Sequence, residues 1–217
     1  MDWVMLRALS AEDRQRVLQA ARRRRFARGE VLFHEGDPGD SLHLVTKGRV
    51  AVRVTTPLGD VATLTVLGPG AVFGELALVM PGSLRTATVV ALEAAETLSL
   101  RREQFDALRR EHPAIDRVLI DLLAATVTRL SDKLTEALFV PVDKRLLRRL
   151  ADLAQEYGQG QPGTVIPLTQ QDLAEMAGTT RPTANRVLHD AQQAGLISVG
   201  RTRITLVDPT GLRSRAR

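Results

Sequence analysis

The sequence predicts an α+β protein: a strand-rich N-terminal half, one long helix, and a small helical C-terminal unit that ends in a hairpin. Three observations carry that prediction. Short Val-, Leu- and Thr-rich runs between glycines fill residues 28–101, an apolar stripe at three- and four-residue steps marks residues 113–138, and a helix–turn–helix layout occupies residues 168–188. Apolar residues make up 44% of the 217, enough for packed cores, and cysteine is absent. That absence excludes disulfide scaffolds, thiol nucleophiles and cysteine-held zinc or iron–sulfur clusters. No stretch reaches the roughly 18 apolar residues that a membrane span needs, and the charged N-terminus has no signal-peptide pattern. The expectation is a soluble, cytoplasmic protein with no membrane partner.

Taken in order, residues 1–25 read as helix, with Leu6, Leu9, Val17, Leu18 and Ala21 between charges and Ser10 and Asp13 at capping spacing. Arg22–Arg25 reads as the solvated end of that helix rather than as a nucleic-acid contact. Glu30–His34, Ser41–Val45, Arg49–Val54, Val61–Val66 and Thr86–Ala91 read as strands, several alternating at period two. Their spacing suits a small barrel or sandwich. His112-Pro113 then starts a helix whose apolar line, from Ile115 to Leu138, has polar flanks and suits a two-stranded coiled-coil seam. At about 1.5 Å per residue this helix would be roughly 39 Å long. Phe139–Asp143 reads as a hinge, because Pro141 cannot continue the helix and Asp143 is placed to cap the next. Three segments are therefore expected: 1–112, 113–138 and 139–217.

In the last segment, Thr169 with Asp172 can cap a first helix, Gly178 can supply a left-handed turn, and Thr180 can cap a second helix with Pro182 in its first turn. Ala184, Val187, Leu188 and Ala191 would be the buried face of this second helix. The other face carries Arg181, Thr183, Asn185 and Arg186, which can donate to base edges and phosphates in a major groove. Gly195–Leu206 reads as a hairpin wing. From Phe139 onward there are 11 Lys+Arg against 7 Asp+Glu, a modest excess in the direction that phosphate binding requires.

The sharpest local signal is Phe73–Val89. Gly70 and Gly74 permit close backbone approach, Glu75–Leu78 can form one helical turn with free N–H groups, and Arg85 can fork onto the same phosphate. Glu75 would accept from a ribose hydroxyl. No metal cluster and no triad-like arrangement suggests catalysis, so an enzyme is not expected.

The cassette Phe73-Gly-Glu-Leu-Ala-Leu…Arg85-Thr-Ala and the Gly178…Arg181…Arg186 helix resemble those of the cyclic-AMP receptor protein/fumarate–nitrate regulator family of bacterial transcription factors. The resemblance covers roughly residues 5–210. It implies a jelly-roll-like, cyclic-nucleotide-binding β-roll, a long dimerisation helix and a winged helix-turn-helix. It further implies a homodimer on double-stranded DNA, with RNA polymerase as a partner and cyclic AMP as effector. Gly74, Glu75, Arg85 and Thr86 would hold ribose and phosphate, with the backbone of Leu76 and Ala77. Two positions depart from the family pattern. Leu130-Ser131 stands where adenine-reading members carry two hydroxyls, leaving Ser131 alone, and Pro182 follows Arg181 where a cytosine-reading carboxylate is usual. The cysteine-dependent redox branch is excluded, and the four scattered histidines do not suit a haem-sensing one. The competing expectation is a ligand-free dimerisation scaffold on a protein that binds DNA constitutively.

Overall fold

In the computed structural model the described residues are 6, 9–79 and 82–217, so Met80 and Pro81 of the cassette lie outside them. The chain forms two compact units, residues 1–54 with 64–129 and residues 55–63 with 130–217.

The first unit begins with α1 (Ala11–Ala20), whose N-cap Ser10 accepts from the Asp13 N–H as expected. The helix stops there. Arg22–Phe26 is β1 and not a helix end, because β8 (Ala95–Arg101), with Ser99, Leu98, Thr97 and Glu96 opposite the four arginines, gives this run a strand to pair with. Tertiary pairing overrides the weak local preference. One sheet has the order β1, β8, β3 (Ser41–Lys47), β6 (Val72–Phe73), and the other β2 (Val31–Phe33), β7 (Thr88–Ala91), β4 (Val50–Thr55), β5 (Val61–Leu67). The first sheet's two faces are unlike. Leu42, Leu44, Leu98 and Leu100 pack with Leu6, Val17, Phe105, Leu108, Ile115 and Leu119 from the helical side. Phe26, Val45, Phe73 and Ala95 instead pack with Leu32, Val50, Val89 and Ala91 of the second sheet. This is the two-layer roll that strict alternation produces.

A single helical turn, α2 (Leu76–Val79), joins β6 to β7, and α3 (Arg102–Glu111) joins β8 to the long helix. The long helix α4 runs Ala114–Phe139. Ile115 and Leu119 are buried in the first unit's core, while Ile120, Val127, Leu130, Leu134 and Leu138 are exposed large apolar residues. With Leu123, the exposed series Ile120, Val127, Leu130 and Leu134 follows alternating three- and four-residue steps, the a/d pattern of a coiled-coil seam.

In the second unit, α5 (Val142–Gly158) is capped by Pro141, so Asp143 sits inside the first turn rather than at the cap. There it still meets the positive end of the helix. α6 (Gln170–Ala177) and α7 (Arg181–Gln193) follow, with β9 (Val165–Ile166), β10 (Ile197–Val199) and β11 (Ile204–Leu206) as a three-stranded antiparallel sheet, and α8 (Pro209–Arg215) closes the chain. Leu146, Leu150, Ile166, Leu173, Ala174, Ala184 and Leu188 are each essentially fully buried and form the core.

Candidate functional site

The cassette is built around a glycine that cannot be replaced. Gly74 has φ +86°, and a Cβ there would lie 2.7 Å from Arg85 Nη1 and 2.9 Å from Ser41 O. The strand-to-helix bend thus brings the backbone onto the Arg85 guanidinium, whose Nη1 donates to Gly74 O at 3.3 Å and Ser41 O at 2.7 Å. Nη2 donates to Ser41 Oγ at 2.9 Å and Asp40 Oδ1 at 3.2 Å. The guanidinium lies 4.1 Å over the Phe33 ring, and Arg85 is 4% exposed, with Nε buried and unpartnered among the described residues. Burial pulls its pKa below the ordinary range, and Asp40 acts against that shift.

The structure brings Arg85 to Gly74, and sequence reasoning missed what holds the guanidinium there. Asp40 and Ser41 show no motif, and His43 reads as a scattered histidine. His43 stacks on Phe73 at 5.1 Å, meets Thr97 Oγ1 at 3.2 Å, and lies 3.4 Å from Ser41 Oγ. Burial first, then the Arg85 and Arg24 charges, push its pKa down to about 3, so this ring is neutral at physiological pH. A neutral imidazole can tolerate the arginine beside it, which an imidazolium could not.

Glu75 follows Gly74 and is half-buried. Burial pushes its carboxyl up, while a bond to its own backbone and the charges of Arg129 and Arg85 favour the ionised form. Glu75 and Arg85 therefore share one electrostatic site. Arg129 of α4 also reaches it, with Nη1 donating to Thr65 Oγ1 of β5 at 2.7 Å. Sequence reading took Arg129 only as a polar flank of the apolar stripe. Leu76 and Ala77 form the first turn of α2, ahead of the Leu78 and Val79 N–H groups that bond back to Glu75 O. Arg102, another residue without a sequence signal, donates to Gly39 O, Ala77 O and Leu78 O and so fixes the far end of that turn. Thr86 is exposed beside Arg85. Ser131 is exposed on α4 and belongs to the second compact unit.

In the second unit, Thr169 accepts from Asp172 N at 3.1 Å while Asp172 accepts from Thr169 N at 2.9 Å, a complete capping box. Gly178 closes α6 at φ +61°, the left-handed turn that the motif requires. Thr180 caps α7 and accepts from Thr183 N at 3.4 Å. Arg181, Asn185 and Arg186 project from the exposed face opposite Ala184, Val187, Leu188 and Ala191. Thr169, Arg181 and the wing residue Arg201 border a single cleft of about 480 Å³. Arg186 lies on the other flank, with Asp143, Asp190 and Arg215 around a cavity of about 120 Å³. The elbow below is tied by Arg145, which donates to Ala137 O, Val140 O, Ala177 O and Gly178 O. Arg148 and Arg149 both pair with Glu136 across the same bend.

Residues 23–112 match the cyclic nucleotide-binding domain family, and residues 144–215 match the Crp-like helix-turn-helix domain family. The chain is 31% identical over 195 residues to the CRP-like cAMP-activated global transcriptional regulator of Mycobacterium tuberculosis, covering 88% of this chain and 87% of that relative. This chain belongs to the cyclic-AMP receptor protein/fumarate–nitrate regulator family. It is also 34% identical to the cyclic AMP receptor protein of Thermus thermophilus, covering 90% and 88% of the two chains. Among solved structures it is similar to the c-di-GMP responsive regulator CLP of Xanthomonas campestris, with TM-score 0.80, 25% identity and coverage of 91% and 99%. As a member of this family it is a transcriptional regulator that joins a cyclic nucleotide-binding domain to a DNA-binding helix-turn-helix. No helix among the described residues is long and apolar enough to cross a membrane, and no group of three or more metal-ligating side chains occurs among them.

Proposed function

We propose that this regulator works as a cytoplasmic homodimer whose affinity for double-stranded DNA depends on a cyclic nucleotide in the β-roll, with cyclic AMP as the effector. The convergence of Gly74, Glu75 and Arg85 on one site carries this reading. An incoming cyclic phosphate offers Arg85 two non-bridging oxygens sharing one negative charge in place of the Ser41 and Gly74 carbonyls and Asp40, a charge-assisted exchange. The Leu76 and Ala77 N–H groups and Thr86 would complete the phosphate and ribose shell, and Glu75 would accept from the 2′-hydroxyl. Two relatives named for cyclic AMP support adenine, with Ser131 on the base side.

The exposed Ile120–Leu138 stripe of α4 favours a second copy as its cover. Arg181 and Arg186 would read bases, and Thr169, Thr180, Thr183, Asn185, Lys144 and the wing arginines Arg201 and Arg203 would fix the backbone. RNA polymerase would be the protein partner at promoters. One observation favours a second reading, a ligand-free scaffold that binds DNA constitutively: all four Nη contacts of Arg85 are already made within the protein. Calorimetric titration with cyclic AMP and cyclic GMP separates the two. The effector reading predicts saturable heat with cyclic AMP that Arg85→Ala abolishes, whereas no heat with either nucleotide would establish the scaffold.

A further inference from the structure

The arginine run Arg22–Arg25 has no part in nucleotide or DNA binding as described, yet β1 sorts it sharply. Arg23 and Arg25 share a face with Glu96 and lie 3.9 Å and 3.3 Å from its carboxylate. Arg22 and Arg24 oppose Ser99 and Thr97 on the other face, where Arg101 opposes Ser41. Protection of an edge strand from mispairing accounts for charge on β1. It does not account for neutralising one face and leaving the other without acidic partners. Arg22, Arg24 and Arg101 make no ion pair with a described residue and open into one cleft of about 660 Å³. Its floor holds Ser41 and Ser99, each 8% exposed. Among the described lining residues the carboxylates are Asp40, which already accepts from Arg85, and Glu103. Like charges held in one concavity repel until an anion enters.

We propose that this cleft is a second anion site, for a ligand carrying two or more linked phosphoryl groups, either as free polyphosphate or as the tail of a nucleotide. Three guanidinium forks spaced around a small-molecule-sized cavity outnumber what one phosphate can engage, and linked phosphates present enough oxygens for all three. The Ser99 hydroxyl adds a neutral donor at the base of the cleft, where Ser41 Oγ already donates to Asp40 Oδ1 at 2.8 Å. This site is independent of the cyclic-nucleotide reading and shares with it only Asp40 and Ser41.

The test is calorimetry of the full-length chain with inorganic pyrophosphate, guanosine diphosphate and orthophosphate at fixed ionic strength. Saturable pyrophosphate binding is expected, at least tenfold tighter than orthophosphate. Arg22→Ala/Arg24→Ala should weaken it at least tenfold, while Arg23→Ala/Arg25→Ala and Glu75→Gln change it less than twofold. Arg22→Lys/Arg24→Lys, which keeps the charge and the fold, should still weaken it several-fold because the forks are gone. Equal affinities for pyrophosphate and guanosine diphosphate would point to free polyphosphate, and tighter diphosphate nucleotide binding to a nucleotide tail; both support the site. Absence of saturable heat, equal weakening by both alanine pairs, loss with Glu75→Gln, or capture of an oligoglutamate peptide but not pyrophosphate would each overturn it.

Discussion

At Glu75, stability and the proposed ribose recognition pull in opposite directions. Its carboxyl is pushed up by burial, so its pKa is higher in the folded chain than in the unfolded one. The stabilisation from such a group is present at low pH and is lost as pH rises through the folded value. At pH values where the unfolded carboxyl is ionised, Glu75 is therefore a cost to the ligand-free fold. Glu75→Gln should raise the urea midpoint of the free protein at pH 7. The same change should weaken cyclic nucleotide binding at least tenfold, since a hydrogen bond to a charged group contributes about 1.5–3 kcal/mol. His43 has the reverse polarity. Its folded pKa of about 3 lies below the unfolded value of 6.5, so the unfolded chain takes up the proton first. Stability is then full above pH 6.5 and falls by up to about 1.4 kcal/mol per pH unit below it. Between pH 6.5 and 4.5, urea midpoints of wild type should drop more steeply than those of His43→Gln. Gly74, Glu75 and Arg85 were legible in the sequence because glycine, acid and arginine fall at recognisable spacing. Asp40, His43 and Arg102 were not, since each acts through a partner between 24 and 63 positions away in sequence or through the sheet register.

The same division holds for whole elements. Strands with period-two alternation, such as β3 and β4, were read from the sequence, and so were α4 and, with the Thr169, Gly178 and Thr180 caps, α6 and α7. β1 was missed because arginine carries no strand signal without its β8 partner, and α3 because a charge-rich ten-residue helix shows only Phe105 and Leu108 as buried anchors. The α4 seam yields an element-scale expectation. Leu134 is 61% and Val127 63% exposed, so a substitution there has little of its own chain to disturb. If the proposed homodimer forms along this seam, Val127→Glu and Leu134→Glu should give a monomer in sedimentation analysis while leaving helicity intact, because like charges at facing seam positions repel. On α7, Arg181→Ala and Arg186→Ala should each cost about 1–3 kcal/mol of operator binding and relax specificity at one position. A substitution that weakens operator and random DNA equally would reassign that arginine to the phosphate backbone.

For the whole molecule the question is linkage. A ligand shifts DNA affinity only as far as it prefers the DNA-competent arrangement, and a tenfold preference is worth about 1.4 kcal/mol. The recognition helices of a dimer must present themselves about 34–36 Å apart to enter successive major grooves. The bend after α4 is well built to transmit a change in helix packing, since Arg145 ties the α4 end to the α6 end and Glu136 pairs with Arg148 and Arg149. The most direct measurement is the anisotropy-derived affinity for a DNA fragment selected from a random library, with and without saturating cyclic AMP, in wild type and in Arg85→Ala. Tightening of at least tenfold in wild type, with none in Arg85→Ala, is the predicted result. Equal affinity in wild type with and without nucleotide would contradict ligand control of this regulator.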